Sequence, residues 1–280
     1  MTTSERRVVV STMTARHQVS ERRVCRALGF ERTGIRYAPT RPTTDAPLRA
    51  RLRELAAAYP RWGVPRLHWR LQREGLHVNY KRVERLYRLE GLAVRTRHRK
   101  RLAVPRVPRP PVLAPNETWG IDFVSDTLCT GRRFRAFTVI DVCTHECVAI
   151  TVAHSLPSDA VIATLQRVIA ARGAPILLSL DNGSEFRSRA FDAWAADAHI
   201  ELAFIQPGKP IQNAHIESFN GRLRDECLNS HWFLSLADAR FHIECFRQSY
   251  NTDRPTRACW PLTPAEHADT FAPSPIRLSA

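Results

Sequence analysis

The sequence predicts an α/β domain with a mixed sheet and flanking helices, preceded by an all-α helix-turn-helix domain. Three observations support this prediction. Residues 45–91 carry three helical stretches with apolar stripes and capping or stop residues. Residues 102–116 contain five prolines, which disfavour a helix and predict an extended connector. From residue 117 onward, the order is three strands, helix, strand, helix, strand, helix.

The chain begins with short helical segments. Two of them are predicted within residues 19–38, where Ser20 can cap the first and Gly29 can end it. Asp45 is the predicted N-cap of a longer helix, because an apolar stripe at helical spacing follows it. That stripe consists of Leu48, Leu52 and Leu55.

Two further helices complete the predicted helix-turn-helix. The first faces inward with Leu67 and Leu71 and ends at Gly75. The second is capped by Asn79 and ends at Gly91. Its predicted inner face consists of Val83, Leu86 and Tyr87. Two short helices joined by a tight turn after a longer one are typical of a helix-turn-helix.

The net charge of +15 is unevenly distributed. Residues 1–110 hold 27 Lys and Arg against 8 Asp and Glu, whereas residues 111–280 hold 15 against 19. A basic surface that only serves solubility is the alternative, but such segregation favours nucleic-acid binding by the first half. The predicted DNA contacts on the last helix and the basic arm after it are Lys81, Arg82, Arg85, Arg88, Arg95, Arg97, Arg99, Lys100 and Arg101.

The composition excludes several classes of protein. Hydrophobic residues make up 44% of the chain, enough for a packed core. No apolar run long enough for a membrane span or a signal peptide occurs, so we expect a soluble, cytoplasmic protein without a membrane partner. The cysteines are scattered and lack a C-x-x-C pair, which favours reduced thiols over disulfides or zinc. The seven are Cys25, Cys129, Cys143, Cys147, Cys227, Cys245 and Cys259.

These changes along the chain predict five regions. They are a short helical region at 1–44, the helix-turn-helix with its basic arm at 45–101, the proline-rich linker at 102–116, the α/β domain at 117–230, and a helical extension and tail at 231–280. No G-x-G-x-x-G motif follows the first strand of the α/β domain, which excludes a dinucleotide-binding fold.

Three carboxylates in the α/β domain suggest divalent-metal chemistry. Asp122 lies within the first predicted strand, Asp181 ends the apolar strand LLSLD, and Glu217 lies on the last helix. Aspartate is disfavoured inside strands, so its presence asks for a reason. Mg²⁺ takes hard oxygen ligands, and two such ions can promote attack at phosphorus without a side-chain nucleophile. Asp141 and Glu185 lie equally near strand ends and remain alternatives, and Asp181 has a structural alternative in a turn with Asn182-Gly183.

The last helix of the α/β domain has two distinct faces. Its core stripe consists of Ile216, Phe219, Leu223 and Cys227. Its polar face carries Asn213, Glu217 and Arg224, at spacings that keep them together.

These residues resemble the DDE transposases and retroviral-type integrases, in particular the catalytic reading frame (OrfB) of insertion sequences of the IS-three group. The matching stretches are WGIDFV, DNGSEF, PGKPIQNAHIESFNGRLRDECLN, YNTDRPT and LTPAEHA, and RWGVPRLHWRLQREGLHVNYKRVERLYRLEGL is similar to that family's helix-turn-helix. Thirty-five residues separate Asp181 from Glu217, and this spacing together with NAHIESFNGRLRDE is specific. One departure is Thr256, which stands where the family usually has a histidine after Arg-Pro.

The resemblance implies an RNase H-like fold in which Asp122, Asp181 and Glu217 bind two Mg²⁺ ions, with Mn²⁺ as a substitute. It selects against Asp141 and Glu185 as ligands. It further implies contacts from Arg224 to DNA phosphate and from Lys209 and Asn213 to the DNA end or active site. Expected partners are double-stranded DNA, both terminal inverted repeats and target, and further copies of the chain. An upstream-frame protein or a frameshift fusion is also expected within this family.

The expected function is therefore end cleavage and strand transfer of a bacterial insertion sequence by a two-metal mechanism. Two alternatives remain at this point. A structure-selective nuclease on the same fold would cut without joining. A DNA-binding repressor with a decayed catalytic half would not cut at all, and the intact set of three carboxylates argues against it.

Overall fold

The computed structural model describes residues 2–37, 45–94, 112–205 and 213–271. Two compact units are present, residues 1–51 and residues 52–280. The last two helices of the predicted helix-turn-helix therefore share a compact unit with the sheet. In the described ranges, no helix is long and apolar enough to cross a membrane.

The first unit is helical. It contains α1 (Thr3–His17), α2 (Glu21–Ala27), α3 (Arg32–Arg36) and the start of α4 (Ala46–Ala58). Thr2 and Glu5 form a capping box at the start of α1, in which each side chain bonds the other's backbone N–H. As predicted, Ser20 stands at the N-cap of α2, although its side chain makes no capping bond there. Val10, Val24 and Cys25 form a small buried cluster.

The helix-turn-helix has the predicted elements. α4 is followed by α5 (Val64–Arg73) and α6 (Tyr80–Leu89). The Asn79 side chain caps α6 by accepting a hydrogen bond from the Lys81 N–H at 2.8 Å. Gly75 and Gly91 have positive φ where the two helices end, as their stop positions require. All predicted inner residues are buried, namely Leu48, Leu52, Leu55, Leu67, Leu71, Val83, Leu86 and Tyr87.

A mixed sheet of five strands forms the centre of the second unit, as described from residue 112 onward. The strands are β1 (Thr118–Thr127), β2 (Arg133–Asp141), β3 (Cys147–Ala153), β4 (Leu177–Leu180) and β5 (Glu201–Phe204). Their spatial order is β3-β2-β1-β4-β5. The first three strands pair antiparallel, and β4 is parallel to both β1 and β5. The apolar strand β4 is thus interior, as its composition predicts.

Helices cover both faces of this sheet. They are α7 (Ser158–Arg172), α8 (Arg189–Asp197), α9 (Ala214–Glu226), α10 (Leu236–Thr252) and α11 (Pro264–Asp269), with a short 3-10 helix at Leu228–Ser230. One buried cluster joins the sheet to α7 and α8 and includes Trp119 and Ile121. The other joins the opposite face to α9 and α10 and includes Val124 and Phe219. The alternation along β1 therefore places Asp122 on the face that α9 covers.

The run SDAVIATLQRVIAARG predicts a helix that Ser158 caps and Gly173 ends, and the predicted cap is wrong. Pro157, not Ser158, occupies the N-cap position of α7, and Ser158 is the first helical residue. The Ser158 hydroxyl instead donates to the Glu185 carbonyl at 2.7 Å. A tertiary partner thus uses the hydroxyl that the local pattern assigned to the helix start. The predicted end at Gly173 is confirmed.

The segment YNTDRPT joins the end of α10 to the rest of the second unit. The Asn251 amide bonds both the N–H and the carbonyl of Cys147 at the start of β3. The Arg254 guanidinium is buried and bonds both carboxylate oxygens of Glu226 on α9. Helix α5 also contacts this region, since the Trp69 indole donates to the Pro261 carbonyl at 2.7 Å.

Candidate active site

Asp122 lies in the middle of β1, directly opposite Thr138 of β2. Its two carboxylate oxygens are held by different donors. Oδ1 accepts from the Phe123 N–H at 2.7 Å, and Oδ2 accepts from the Asn220 side-chain amide at 2.8 Å. The carboxylate is therefore fixed by its own strand on one side and by α9 on the other.

Asn220 is a site residue that the sequence analysis missed. It is 9% exposed and lies one turn after Glu217 on α9. Its Oδ1 accepts from the Thr138 hydroxyl at 3.0 Å while its amide donates to Asp122. Thr138 therefore orients the Asn220 side chain so that its donor faces the carboxylate. The sequence carried one sign that Asn220 belongs to the site: it lies three residues after Glu217, and residues at that spacing share a helix face.

Asp181 follows β4 directly, and the register of the sheet brings it to the level of Asp122. β4 pairs with β1 from Thr118↔Leu177 to Gly120↔Ser179. Extended by two residues, this register sets Asp181 beside Asp122 on the same face. Asp181 Oδ1 also accepts from the Gly183 N–H at 2.9 Å. The turn foreseen as a structural alternative is thus present, and it uses one of the two carboxylate oxygens.

Glu217 reaches the site from the first turns of α9. The buried stripe of that helix is confirmed, since Ile216, Phe219, Leu223 and Cys227 are at most 1% exposed. Glu217 itself is exposed on the adjacent face. Gly120 lets α9 approach β1, because a Cβ there would lie 3.4 Å from the Ile216 Cβ.

The pKa of Asp122 is affected by the charges of the other two carboxylates. The pKa of Asp122 is raised from 3.8 to about 6, mainly by burial; the negative charges of Asp181 and Glu217 contribute to the rise, and the Phe123 and Asn220 hydrogen bonds oppose it. The charges of Asp181 and Glu217 therefore act on Asp122. In the described ranges, however, no three His, Cys, Asp or Glu side chains are close enough to hold a metal ion as they stand. A charge can shift a neighbouring pKa over a longer distance than a metal–ligand bond spans. Asp181 and Glu217 can therefore raise the pKa of Asp122 although the three side chains are not close enough to share an ion as they stand.

The alternative carboxylates have structural partners. Asp141 is fully buried, and it accepts from the N–H groups of Cys143, Thr144 and Asn116 and from the Arg172 guanidinium. These donors account for its charge without an external ligand.

Glu185 is bound by Arg135 through a short ion pair and by the Ser184 hydroxyl at 3.0 Å. Although its partial burial works in the opposite direction, the Arg135 hydrogen bond is among the contacts that lower the pKa of Glu185. The Arg135 guanidinium also lies over the Phe123 ring, 4.0 Å from its centroid.

The predicted DNA contacts on α6 are all exposed, namely Lys81, Arg82, Arg85 and Arg88. Arg88 also pairs with Glu84 at 2.6 Å. The residues of the basic arm and the residue before α9 lie outside the described ranges, namely Arg95, Arg97, Arg99, Lys100, Arg101 and Lys209.

Two predicted contacts on α9 differ in accessibility. Arg224 is exposed and donates to the Ser125 carbonyl at 3.2 Å. Asn213 is only 5% exposed, and its amide points at the Ile121 carbonyl at 3.4 Å. Its burial leaves little surface for DNA to contact, so in this structure Asn213 positions α9 against the strand that carries Asp122.

Comparisons with known proteins agree with this architecture. Two models described as "Integrase core domain" match residues 113–210 and 198–264, and one described as "HTH-like domain" matches residues 44–101. The 31.7-kDa protein of insertion element IS407 from Burkholderia multivorans (strain ATCC 17616 / 249) is 46% identical over 267 residues, covering 92% of this chain and 94% of the relative. The 39.2-kDa protein of insertion element IS476 from Xanthomonas euvesicatoria is 43% identical over 269 residues, covering 95% and 77%.

The fold also matches a solved structure. An intasome of simian T-cell lymphotropic virus, solved in complex with the PP2A regulatory subunit B56 gamma, aligns with a TM-score of 0.51 at 18% identity, covering 82% of this chain and 76% of that chain. A mixed sheet with carboxylates at its centre and these domain matches define an integrase-type polynucleotidyl transferase. The chain belongs to the insertion-sequence transposases of the DDE/integrase family.

Proposed function

We propose that this transposase cleaves DNA at the ends of its insertion sequence in a Mg²⁺-dependent reaction and joins the freed 3′-OH to target DNA. The observation that carries the proposal is the effect of the Asp181 and Glu217 charges on the half-buried Asp122 carboxylate. A carboxylate whose charge is opposed by burial and by two neighbouring carboxylates is costly unless a cation compensates it. The alternatives Asp141 and Glu185 instead have protein donors that compensate their charges.

The donor chemistry of Asp122, Asp181 and Glu217 suits a pair of divalent ions. Carboxylate oxygens are the ligands that Mg²⁺ prefers, and Mn²⁺ accepts the same set. When bound, two such ions would activate the attacking oxygen and stabilise the leaving oxygen at phosphorus. Asp122, Asp181 and Glu217 would hold them. This division of labour needs no side-chain nucleophile.

The chain's own contribution is to fix these carboxylates before DNA arrives. Phe123 and Asn220 orient Asp122 through two hydrogen bonds. The Gly183 N–H orients Asp181, and a Cβ at residue 183 would come within 3.0 Å of Asp181 Oδ1. Helix α9 presents Glu217 because its stripe is anchored in the core. Prearranged ligands lower the reorganisation needed at the moment of reaction.

The remaining parts of the proposal concern DNA and assembly. We infer that Lys81, Arg82, Arg85 and Arg88 on α6 contact the duplex, that Arg224 contacts phosphate beside the active site, and that the basic arm and Lys209 add further contacts. Two element ends must be brought together, so the working form is a homo-oligomer on DNA in the bacterial cytoplasm. An upstream-frame protein or fusion would complete it.

The test uses labelled duplexes that carry the element's own ends, incubated with Mg²⁺ or Mn²⁺. Wild type runs beside Asp181→Asn and Glu217→Gln, with Glu201→Gln as a matched control because that glutamate is exposed on β5. We expect cleaved and joined products from wild type and the control only. Products from either active-site variant at more than about a tenth of the wild-type level would contradict the assignment.

Two further outcomes separate the alternatives. Cleavage without joining would favour a structure-selective nuclease on the same fold. Absence of product from wild type, followed by activity on addition of the upstream-frame protein, would show that this chain is one part of the working enzyme.

A further inference from the structure

A cavity of about 380 Å³ lies beside α9, on the opposite side of that helix from Asp122. The turn between β2 and β3 contributes His145, and α9 contributes His215, Ser218 and Arg222. The segment after α10 contributes Thr256 and Arg257. Such a volume accommodates a phosphodiester group with part of its sugar. Nothing in the proposed chemistry uses this cavity.

The lining of the cavity is positively charged. Arg222 and Arg257 carry full charges, and the residues that line the cavity in the described part of the chain include no Asp or Glu. The pKa of His145 is lowered to about 4, first by burial and then by the positive charges of His215, His267 and Arg222. Burial disfavours charge of either sign, whereas the neighbouring positive charges favour an anion in the space beside His145.

Thr256, one of the residues that line the cavity, has a buried hydroxyl without an ordinary partner. Thr256 is 1% exposed, and its Oγ1 makes no hydrogen bond of normal geometry within the described residues. A weak hydrogen bond with Thr256 lowers the pKa of the neighbouring Cys259 thiol, although burial raises that pKa on balance. A thiol is a weak acceptor. A buried hydroxyl is costly when unsatisfied, so an acceptor oxygen in the cavity would stabilise it.

Helix α9 connects this cavity to the active site over a surface of small residues. At 100° per residue, Glu217, Asn220 and Arg224 form one face, whereas His215, Ser218 and Arg222 form another. Between them lie Ala214 and Gly221. A Cβ at Gly221 would meet no atom within 4 Å, so this part of the helix is open. A nucleic-acid backbone can approach such a surface closely.

We propose that this cavity binds a backbone phosphate of the DNA strand that crosses α9 from the carboxylates. Arg222 and Arg257 would compensate the phosphate charge, and the Ser218 and Thr256 hydroxyls would donate to its oxygens. The inference rests on the proposed function, because it assumes that DNA reaches Asp122, Asp181 and Glu217. A phosphate bound in this cavity would define the direction in which the DNA strand crosses α9. The positions of the three carboxylates alone do not define that direction.

The test measures binding without catalysis, so that it is independent of cleavage. Full-length wild type, Arg257→Ala and Arg132→Ala are titrated against a labelled duplex carrying the element's end, in EDTA, at several salt concentrations. Arg132 is the matched control because it is exposed in the turn between β1 and β2. We expect Arg257→Ala to reduce the slope of log K against log salt by about one, as for one lost phosphate contact, and Arg132→Ala to leave it unchanged.

An unchanged slope for Arg257→Ala would overturn the inference, as would an equal reduction for Arg132→Ala or a wild-type affinity that does not respond to salt. A cleavage assay with Mg²⁺ tests the proposed function separately, since wild type can cut whether or not the cavity holds phosphate.

A second pair of variants tests the path over α9. Gly221→Ala adds only a Cβ, which would meet no atom within 4 Å, whereas Gly221→Trp adds an indole beyond it; alanine and tryptophan both favour a helix over glycine. We expect Gly221→Ala to bind and cleave like wild type. Gly221→Trp should bind the duplex at least tenfold more weakly, because the indole would occupy the space between the carboxylates and the cavity. Equal affinity of Gly221→Ala and Gly221→Trp for the duplex would show that the DNA strand does not cross α9 at this position.

Discussion

Asp122 and Asp141 lie on paired strands of the same sheet, yet their surroundings differ. Asp141 is completely buried and accepts hydrogen bonds from three backbone N–H groups and from Arg172. Asp122 is less buried, has two uncharged donors, and shares its space with two other carboxylates that help to raise its pKa to about 6. Burial is therefore a poor guide to cost, because the donors around a carboxylate decide whether its charge is satisfied.

On the proposed function, Asp141 is an acid that stabilises the fold and Asp122 is one that would bind a cation. A satisfied carboxylate is part of the architecture, so its loss should cost stability. A carboxylate whose neighbours oppose its charge is retained at the expense of stability, which is typical of functional sites. The predictions below test this division, from the largest expected effect to the smallest.

The catalytic rate should separate the two aspartates most strongly. Asp122→Asn should lower the rate of end cleavage by roughly a thousandfold or more, because it removes a charge that the metal ions need. The measurement is a single-turnover cleavage assay at saturating protein. Asp141→Asn, measured per folded molecule, should stay within about tenfold of wild type. Comparable losses in both variants would remove the distinction.

Stability should show the opposite order. Asp141→Ala leaves the N–H groups of Cys143, Thr144 and Asn116 without their acceptor and should lower the free energy of unfolding by about 3–5 kcal/mol. Urea unfolding at pH 7 measures this change. The exposed Asp192 on α8 is the control, and Asp192→Ala should shift stability by less than about 1 kcal/mol. A loss below about 1 kcal/mol for Asp141→Ala would contradict the structural role.

Asn220 should affect the site without being a ligand. Asn220→Ala removes the donor to Asp122 Oδ2 and should lower the cleavage rate by about 10–100-fold, as is common when the partner of a metal ligand is lost. The Mg²⁺ concentration that gives half-maximal rate should rise in parallel, a change that simple destabilisation would not produce. If that concentration stayed the same, Asn220 would be a packing residue only.

The pH dependence of stability should sharpen the contrast further. In the folded protein the pKa of Asp122 is about 6 against 3.8 for the free side chain, so the folded state retains a proton that the unfolded chain releases. Without metal, this stabilisation is present at low pH and is lost as pH rises from about 4 to 6. Asp122→Asn should remove that dependence and stabilise the metal-free protein at pH 7 by about 1–2 kcal/mol. Urea unfolding in EDTA at each pH checks the sign, and a less stable variant would refute it.

The turn after Asp141 should respond to pH in the opposite direction. Burial, together with nearby positive charges, lowers the pKa of His145 from 6.5 to about 4, so the unfolded chain binds the extra proton. Its contribution is present above about pH 6.5 and is lost as pH falls towards 4. His145→Asn should reduce this loss of stability at low pH by about 1 kcal/mol, because asparagine does not titrate in this range. Asparagine is chosen because it tolerates the positive φ of this position. If the loss of stability at low pH were the same in His145→Asn as in wild type, groups other than His145 would cause it.

Local patterns in the sequence predicted most of the fold. Asn79 caps α6 and Gly91 ends it, because both signals depend only on neighbouring residues. The apolar composition of β4 predicts an interior strand, and the period-two alternation in WGIDFV predicts that Asp122 faces away from Trp119 and Ile121. The helix α1 was not assigned, although Thr2 and Glu5 carry the capping-box spacing that begins it.

Contacts between distant segments were not predictable in this way. Ser158 bonds the Glu185 carbonyl and Arg172 reaches Asp141, and both pairs form only once the sheet is assembled. For the same reason, one sequence cannot distinguish Asp141 from Asp122, because the donors that satisfy Asp141 come from three separate segments. Asn220 was missed because its importance depends on Thr138 and Asp122, which lie more than eighty residues away.

The order β3-β2-β1-β4-β5 also has a consequence for synthesis. The hairpins β1–β3 can form as soon as they leave the ribosome, whereas Asp181 arrives with β4 and Glu217 only with α9, more than ninety residues after Asp122. At bacterial elongation rates, this interval is about 5–20 s. A nascent or prematurely terminated chain thus carries the helix-turn-helix but an incomplete set of these carboxylates. On the proposed function, such an unfinished chain would bind DNA without cutting it.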